Sequence, residues 1–316
     1  MSALLLAIHG LDAKAWESAF RVHAPRRDLR VWPDRIGPRA DIRYACAWNA
    51  PAGLLASCPG LAAIFSVGAG VDHLTADPSL PDVPVVRMVD PDLTTRMTEY
   101  VVLHVLLHHR RQRMYDAQQR DRVWRDLDDQ PAAPEVAVGI MGLGVLGRAA
   151  AEALRHIGFD VAGWSRTDKA IPGVATFHGA EGLDVFLRRT EILVCLLPST
   201  ADTRAILDLA LLRRLKRDGA LAGAYLINAG RGALQVDACI LAALEEGSLA
   251  GATLDVFPAE PLPPASPFWS HPRVTLTPHN AATVTPQALV RATLGQIERF
   301  EAGLPLENVV DRRRGY

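Results

Sequence analysis

Apolar residues along this chain gather into short runs, separated by polar stretches with helical spacing. In the N-terminal third the runs fall at 4–8, 29–32, 44–48, 62–67 and 84–88. Each is bounded by Gly, Pro, Asn or Asp, which predicts short buried strands. Residues 14–22 fit a helix, Pro33 stops the second run, and Asn49-Ala50-Pro51 reads as a turn and helix start. Strands alternating with short helices predict a small parallel α/β domain. From 96 to 120, Tyr100, Leu103, Leu107 and Met114 recur at helical spacings. One long helix is expected there, able to bridge two domains, with the basic stretch 108–113 as a solvated or subunit-contact face. Pro131 and Pro134 then mark a hinge.

Six further runs alternate with helices, at 136–141, 161–164, 192–197, 225–228, 252–256 and 274–277. Six parallel strands with helical crossovers predict a doubly wound dinucleotide fold. The first run leads into Gly142-x-Gly144-x-x-Gly147, and 148–155 reads as helix. Strand, glycine turn and helix are the context that a dinucleotide fingerprint needs. Gly142 would permit the tight turn, Gly144 the approach of a pyrophosphate, and Gly147 close helix–strand packing. The helix N-terminus would offer free N–H groups to the phosphates. Residues 286–301 are predicted helical and expected to pack back on the first domain.

Composition narrows the class. A chain of 316 residues suggests about two domains. Hydrophobic residues at 49% and charged residues at 22% fit a packed core rather than disorder. A net charge of −1 argues against nucleic-acid or anionic-membrane partners. Cys46, Cys58, Cys195 and Cys239 lack a C-x-x-C spacing, which suggests a reduced, cytoplasmic protein. The first apolar run is only strand length and ends at His9-Gly10, so no secretory leader is expected. No apolar run reaches the roughly 18 residues of a membrane helix. His104 and His108 share a helical face but lack the H-E-x-x-H pattern, so no metal site is expected.

Ligands of an open parallel sheet bind beyond the carboxyl ends of its strands. Arg231, Glu260 and His279 follow three successive predicted strands. A guanidinium can clamp a carboxylate and polarise a carbonyl. A protonated imidazole can give a proton to the oxygen as hydride reaches carbon. A carboxylate bonded to that imidazole favours its charged form and fixes its orientation. Together they suit reduction of a 2-keto acid, the cofactor supplying the hydride.

The motifs Gly142-x-Gly-x-x-Gly147, Asn228-Ala-Gly-Arg-Gly232, Leu254-Asp-Val-Phe257 with Glu260-Pro261, and Thr277-Pro-His279 resemble those of the D-isomer-specific 2-hydroxyacid dehydrogenases. Trp164-Ser-Arg-Thr167, Pro172-Gly-Val174, the proline-rich stretch from Leu262 to Val274, and the terminal Val310-Asp-Arg-Arg-Arg-Gly-Tyr316 are most similar to their glyoxylate/hydroxypyruvate reductase A branch. The resemblance runs nearly end to end. It implies an α/β protein of two domains. A smaller flavodoxin-like substrate domain, 1–98, would be completed by 281–316, and a Rossmann-type NADP-binding domain would span 99–280. It implies Arg231 as carboxylate clamp, His279 as acid/base and Glu260 as its partner. Substrate carboxylate would meet the backbone N–H groups of Ala69 and Gly70, with Trp48 and Met97 as pocket walls. Asp255 would hold the nicotinamide carboxamide. The cofactor set would include Gly142, Gly144, Val145, Leu146, Gly147, Leu197, Pro198, Asn228, Ala229 and Gly230. A homodimer built around the bridging helix is also implied.

An acidic residue ending the second strand would bind a ribose 2′-OH. Here that place holds Ser165, Arg166 and Thr167, with Lys169 nearby and Asp168 just beyond. Hydroxyls and a guanidinium suit a 2′-phosphate, so NADP(H) is expected over NAD(H). The chain departs from the family at Asn280, Gly230 and Thr94-Thr95-Arg96, which leaves the substrate side chain open. Glyoxylate and hydroxypyruvate are the expected substrates, with another 2-keto acid as the alternative. A cofactor-sensing interaction protein is the reading from a different class.

Overall fold

The strand-like runs become two parallel sheets in a computed structural model that describes residues 2–316 apart from Ala222 and Val284. The chain divides into two units, Met1–Leu93 with Thr283–Tyr316, and Thr94–Ala282. The first unit runs β1 (Ala3–Ile8), α1 (Ala13–His23), β2 (Leu29–Val31), β3 (Ile42–Trp48), β4 (Ala63–Ser66), α2 (Asp72–Thr75) and β5 (Val85–Val86). Its sheet has the order β2-β1-β3-β4-β5, the flavodoxin-like arrangement, with every pair parallel. Every residue of β1 is buried, as expected of a strand covered on both faces. Helix α1 begins where the Asp12 side chain accepts from Lys14 N–H, and it buries Trp16, Ala19 and Phe20. The helix start expected at Pro51 resolves instead into successive turns. Asn49 and Gly53 adopt φ of 45° and 79°, and the Gly53 N–H goes to the Asp77 carboxylate.

The second unit is laid out around a seven-stranded parallel sheet. Its elements are α3 (Pro91–His109, all but its first turn), α4 (Gln112–Asp121), β6 (Ala137–Met141), α5 (Val145–Ile157), β7 (Asp160–Ser165), β8 (Ala175–His178), α6 (Gly179–Arg189), β9 (Ile192–Cys195), α7 (Leu209–Leu212), β10 (Tyr225–Asn228), α8 (Asp237–Glu246), β11 (Gly251–Leu254) and β12 (Val274–Leu276). The order β12-β11-β10-β9-β6-β7-β8 is the Rossmann order with one strand added. The sequence predicts six of these strands. The seventh, β8, has no fully buried residue and lies at the sheet edge, so it leaves no apolar run to detect.

The single long helix expected over 96–120 is in fact two. Arg111 takes the left-handed conformation, φ 54°, and its guanidinium is held by Asp129 at 2.7 Å. The face read as solvated is partly core. His108 donates or accepts at Thr253 Oγ1, 2.9 Å away, and lies 4.8 Å from the Tyr225 ring. His109 meets Phe159 edge-on at 5.1 Å. The prolines expected to form a hinge lie inside the second unit, where the neighbouring Gln130 amide donates to His109 O.

Helix α9 (Pro286–Glu301) returns to the first unit. Thr285 caps it, Pro286 starts it, and Glu301 pairs with Arg27 at 3.1 Å. Beyond it Val309 bridges antiparallel to Val86, and Val310 N–H donates to Val85 O.

Burial pushes His108 down to about 3 and holds His104 and His109 below the usual imidazole value, like charges nearby adding to the effect at His108 and His109. Above about pH 6.5 these rings are neutral whether folded or not. Below it the unfolded chain takes up protons that the fold refuses, so stability falls with pH until the folded pKa is reached. For His108 alone the loss between pH 6.5 and 4.5 is on the order of 2 kcal/mol. His108→Gln should therefore lower the unfolding midpoint at pH 8 yet flatten its decline on acidification. Equal acid slopes in urea titrations of the two proteins would refute this.

Candidate active site

The fingerprint glycines divide their work as steric constraints. Gly142 has φ 104°, and a Cβ on it would come within 2.8 Å of Leu196 O. The turn after β6 therefore lies against the turn after β9, where the strand order reverses. A Cβ on Gly147 would come within 1.9 Å of Gly142 O, so only glycine lets α5 pack so closely. Gly144 differs: a Cβ there would meet no protein atom within 4 Å. The fold leaves that space open in front of the α5 N-terminus, where a phosphate fits. Gly144 itself caps α5, and Val145, 42% exposed, and Leu146 stand in its first turn.

Strand β7 ends at Ser165, whose hydroxyl donates to Thr167 O at 2.7 Å. That bond folds the strand end into a tight turn and leaves Arg166 exposed at its tip. Asp168 lies 3.6 Å from His178 Nδ1, at the end of β8. Leu197 is buried after β9, and Pro198 O accepts from Thr203 Oγ1 at 2.7 Å.

The Arg231 loop is organised by a buried amide. Asn228 at the end of β10 is fully buried; its Nδ2 donates to Gln235 Oε1 at 2.8 Å and to Arg231 O at 3.3 Å, and its Oδ1 accepts from Gly230 N–H at 3.1 Å. Both donor hydrogens are thus used within the loop, so Asn228 shapes the Ala229-Gly230-Arg231 turn by its own bonds. Gln235 in turn donates to Asp237 at 2.8 Å. Gln235 carried no signal in the sequence, because a polar residue before a helix reads as an ordinary loop.

Glu260 and His279 are brought together. Glu260 Oε2 accepts from His279 Nδ1 at 2.7 Å, and Oε1 accepts from Phe257 N–H at 2.9 Å. Burial pushes the Glu260 carboxyl up, but the His279 and Phe257 hydrogen bonds and the charges of His279 and Arg231 outweigh it and hold Glu260 below its ordinary value. A carboxylate fixed through both oxygens orients the imidazole, leaving Nε2 as the nitrogen with a free edge. His279 itself has φ 52°, a conformation uncommon outside glycine.

Asp255 is the least exposed of the predicted acidic residues, at 1%, and takes up the same loop. Its Oδ1 accepts from Thr277 Oγ1 at 2.6 Å and Asn280 N–H at 2.9 Å, and Oδ2 from Ala281 N–H at 3.1 Å. Asp255 O accepts from His279 N–H at 2.8 Å. Only Oδ2 keeps capacity for a further donor.

In the first unit, Trp48 ends β3 and packs against His73, the rings tilted by 56° with centroids 4.5 Å apart. A Cβ on Gly68 would come within 2.7 Å of the Trp48 ring, so the 67–71 loop lies against it. Ser66 Oγ donates to Gly70 O at 2.9 Å and accepts from Gly68 N–H. Among the described residues, the amides of Ala69 and Gly70 donate to no protein group. Met97 is buried in the core of the second unit with Tyr100 and Ala281. Among the described residues no cluster of His, Cys, Asp or Glu is arranged to hold a metal ion.

A doubly wound sheet, a glycine turn at its switch point and an imidazole oriented by a carboxylate define a dinucleotide-dependent oxidoreductase. The comparisons with known proteins fix the family. Residues 102–281 match the NAD binding domain of the D-isomer specific 2-hydroxyacid dehydrogenases. The glyoxylate/hydroxypyruvate reductase A of Yersinia enterocolitica is 41% identical over 311 residues, 96% of this chain and 97% of the relative. An NADPH-dependent glyoxylate/hydroxypyruvate reductase from Sinorhizobium meliloti, solved with NADP and sulfate, superposes with a TM-score of 0.95 at 47% identity over 100% of both chains. A probable 2-hydroxyacid dehydrogenase from Rhizobium etli, solved with NADP, gives 0.95 at 44% identity, again over the whole of both chains. The chain belongs to the D-isomer specific 2-hydroxyacid dehydrogenase family.

The Asn228–Gln235 bond can be tested directly. Gln235→Ala leaves a buried amide donor unmatched, at a cost of about 1–3 kcal/mol. Denaturant unfolding should show that loss; an unchanged midpoint would mean the Arg231 loop does not rely on this bond.

Proposed function

We propose that this protein reduces small 2-keto acids, glyoxylate and hydroxypyruvate first, using NADPH. The observation that carries the reading is the His279–Glu260 pair, with both Glu260 oxygens bonded and the Arg231 charge acting on it. It stands in a chain closely similar to reductases of those two acids. NADPH, when bound, supplies the hydride. The chain's own groups do the rest. Arg231 clamps the substrate carboxylate and polarises the carbonyl. His279 holds a proton at Nε2 and delivers it to the carbonyl oxygen. Glu260 stabilises the charged ring and fixes its Nδ1.

The residues fit a dinucleotide. The open space at Gly144 and the N–H groups of α5, with Gly142, Val145, Leu146 and Gly147, would hold the pyrophosphate. Arg166, with Ser165 and Thr167, would take the 2′-phosphate. Leu197, Pro198, Asn228, Ala229 and Gly230 would shape the remaining wall, and Asp255 Oδ2 would accept from the carboxamide. In the first unit, the amides of Ala69 and Gly70 offer donors to a carboxylate and Trp48 an apolar wall. Functionally, the first unit is proposed as the substrate domain and the second as the dinucleotide-binding domain. A homodimer is proposed as well. It is supported by exposed Leu103 on α3 and fully exposed Trp124 beyond α4. Cytoplasmic residence is proposed too, in keeping with the free thiols of the four cysteines.

The deciding experiment follows NADPH absorbance with glyoxylate, hydroxypyruvate, pyruvate and a bulky 2-keto acid in parallel, with NADH controls. Rapid oxidation with the two small acids is expected; oxidation with none of the four would remove the reading. His279→Gln should lower kcat by about 10²–10⁴-fold while NADPH still binds. Arg166→Asp should shift preference from NADPH toward NADH, and an unchanged ratio of kcat/KM values would place the 2′-phosphate elsewhere.

A further inference from the structure

The bonds around Asp255 have a direction. A carboxylate only accepts, so Thr277 Oγ1 must spend its one hydrogen on Asp255 Oδ1, 2.6 Å away. Tyr100 OH lies 2.7 Å from the same Oγ1. With its hydrogen committed, Thr277 can only accept there, so Tyr100 donates. Burial pushes the phenol pKa far up, which keeps that hydrogen in place at any working pH. The relay therefore runs Tyr100 OH to Thr277 Oγ1 to Asp255 Oδ1. It begins on helix α3 and ends on the carboxylate that also takes Asn280 and Ala281 N–H.

The starting point is rigid. The Tyr100 ring is buried and lies 4.2 Å from the His104 ring, and it packs in the core with Met97, Val101 and Ala281. The end point is strained. His279 sits at φ 52° between the residues bonded to Asp255, and such a conformation persists only where its surroundings over-determine it. The bonds to Asp255 tie the turn to the end of β11, and Glu260 holds the imidazole. The phenol adds a tie to a helix, α3.

We propose that Tyr100 is a positioning residue for His279: through Thr277 Oγ1 it fastens the turn carrying the imidazole to helix α3. Its catalytic consequence rests on the reductase reading above; the tie itself does not. Positioning matters steeply, because displacing a reacting group by about 1 Å can cost about 10²-fold in rate.

The test uses Tyr100→Phe, which keeps the ring and removes the hydroxyl, in the full chain well below its unfolding temperature. Exchange of the Asn280 and Ala281 amides should quicken about fivefold or more, with β1 and β6 unchanged. Turnover of glyoxylate should fall about tenfold in kcat with KM for NADPH within about twofold. The isotope effect from NADPH deuterated at the transferred hydrogen should rise. Thr277→Val should reproduce these effects, and the double variant should be no worse than Thr277→Val alone, since both act through one hydroxyl. Thr277→Ser, which keeps the hydroxyl, should show none of them. Unchanged amide exchange at 280 and 281 in Tyr100→Phe would overturn the proposal, as would a rise spread evenly over the protein. Wild-type protein inert toward every 2-keto acid would defeat the reductase reading instead, and amide exchange would still decide the tie.

Discussion

A carboxylate taken out of water must be given hydrogen bonds in return, and much of this site follows from how Asp255 meets that demand. Its oxygens accept from one hydroxyl and two backbone amides, and its carbonyl from a third amide. Three of these four donors belong to Thr277, Asn280 and Ala281, the fourth to His279. The turn can close around the carboxylate only if His279 takes a left-handed backbone conformation. The acid/base candidate is thus held by the solvation of a neighbouring charge, and its side-chain partner Glu260 then sets the ring. Removing the Asp255 charge would release the backbone before it touched the imidazole.

The same economy operates at the Arg231 loop, where a neutral amide replaces the carboxylate. Asn228 uses both its hydrogens and its oxygen to close the turn that carries Arg231. In each case a buried polar residue at a strand end organises a turn at that edge of the sheet: Asn228 the loop that follows it, Asp255 the turn after the neighbouring strand β12. Satisfaction and function are divided between neighbours.

What could be read from the sequence was what leaves a local trace. The glycine spacing predicted the strand–turn–helix at Gly142, and successive strand ends predicted that Glu260 and His279 could meet, because each depends on positions at the ends of predicted strands. Tyr100 and Thr277 were hidden because they are 177 residues apart, and a tyrosine on an apolar helix face looks like core. Gln235 was hidden because its partner is a side chain, and its own neighbourhood resembles any helix entry. Strand β8 lacks the burial that writes a strand into sequence. The break at Arg111 escaped because left-handed arginine has no spacing signature, and the buried faces of His108 and His109 depend on rings supplied by β10 and by Phe159.

The order of the seven-stranded sheet has one further consequence. Strand β7, which leads to Arg166, and strand β12, which leads to His279, stand five strand spacings apart, about 24 Å across the sheet. Groups so far apart and without shared partners change their energies independently. On the proposed roles of Arg166 and His279, choice of coenzyme and proton chemistry would therefore be modular. A lineage could exchange one nucleotide for the other by redrafting a single turn, leaving the reaction centre on the opposite flank as it was.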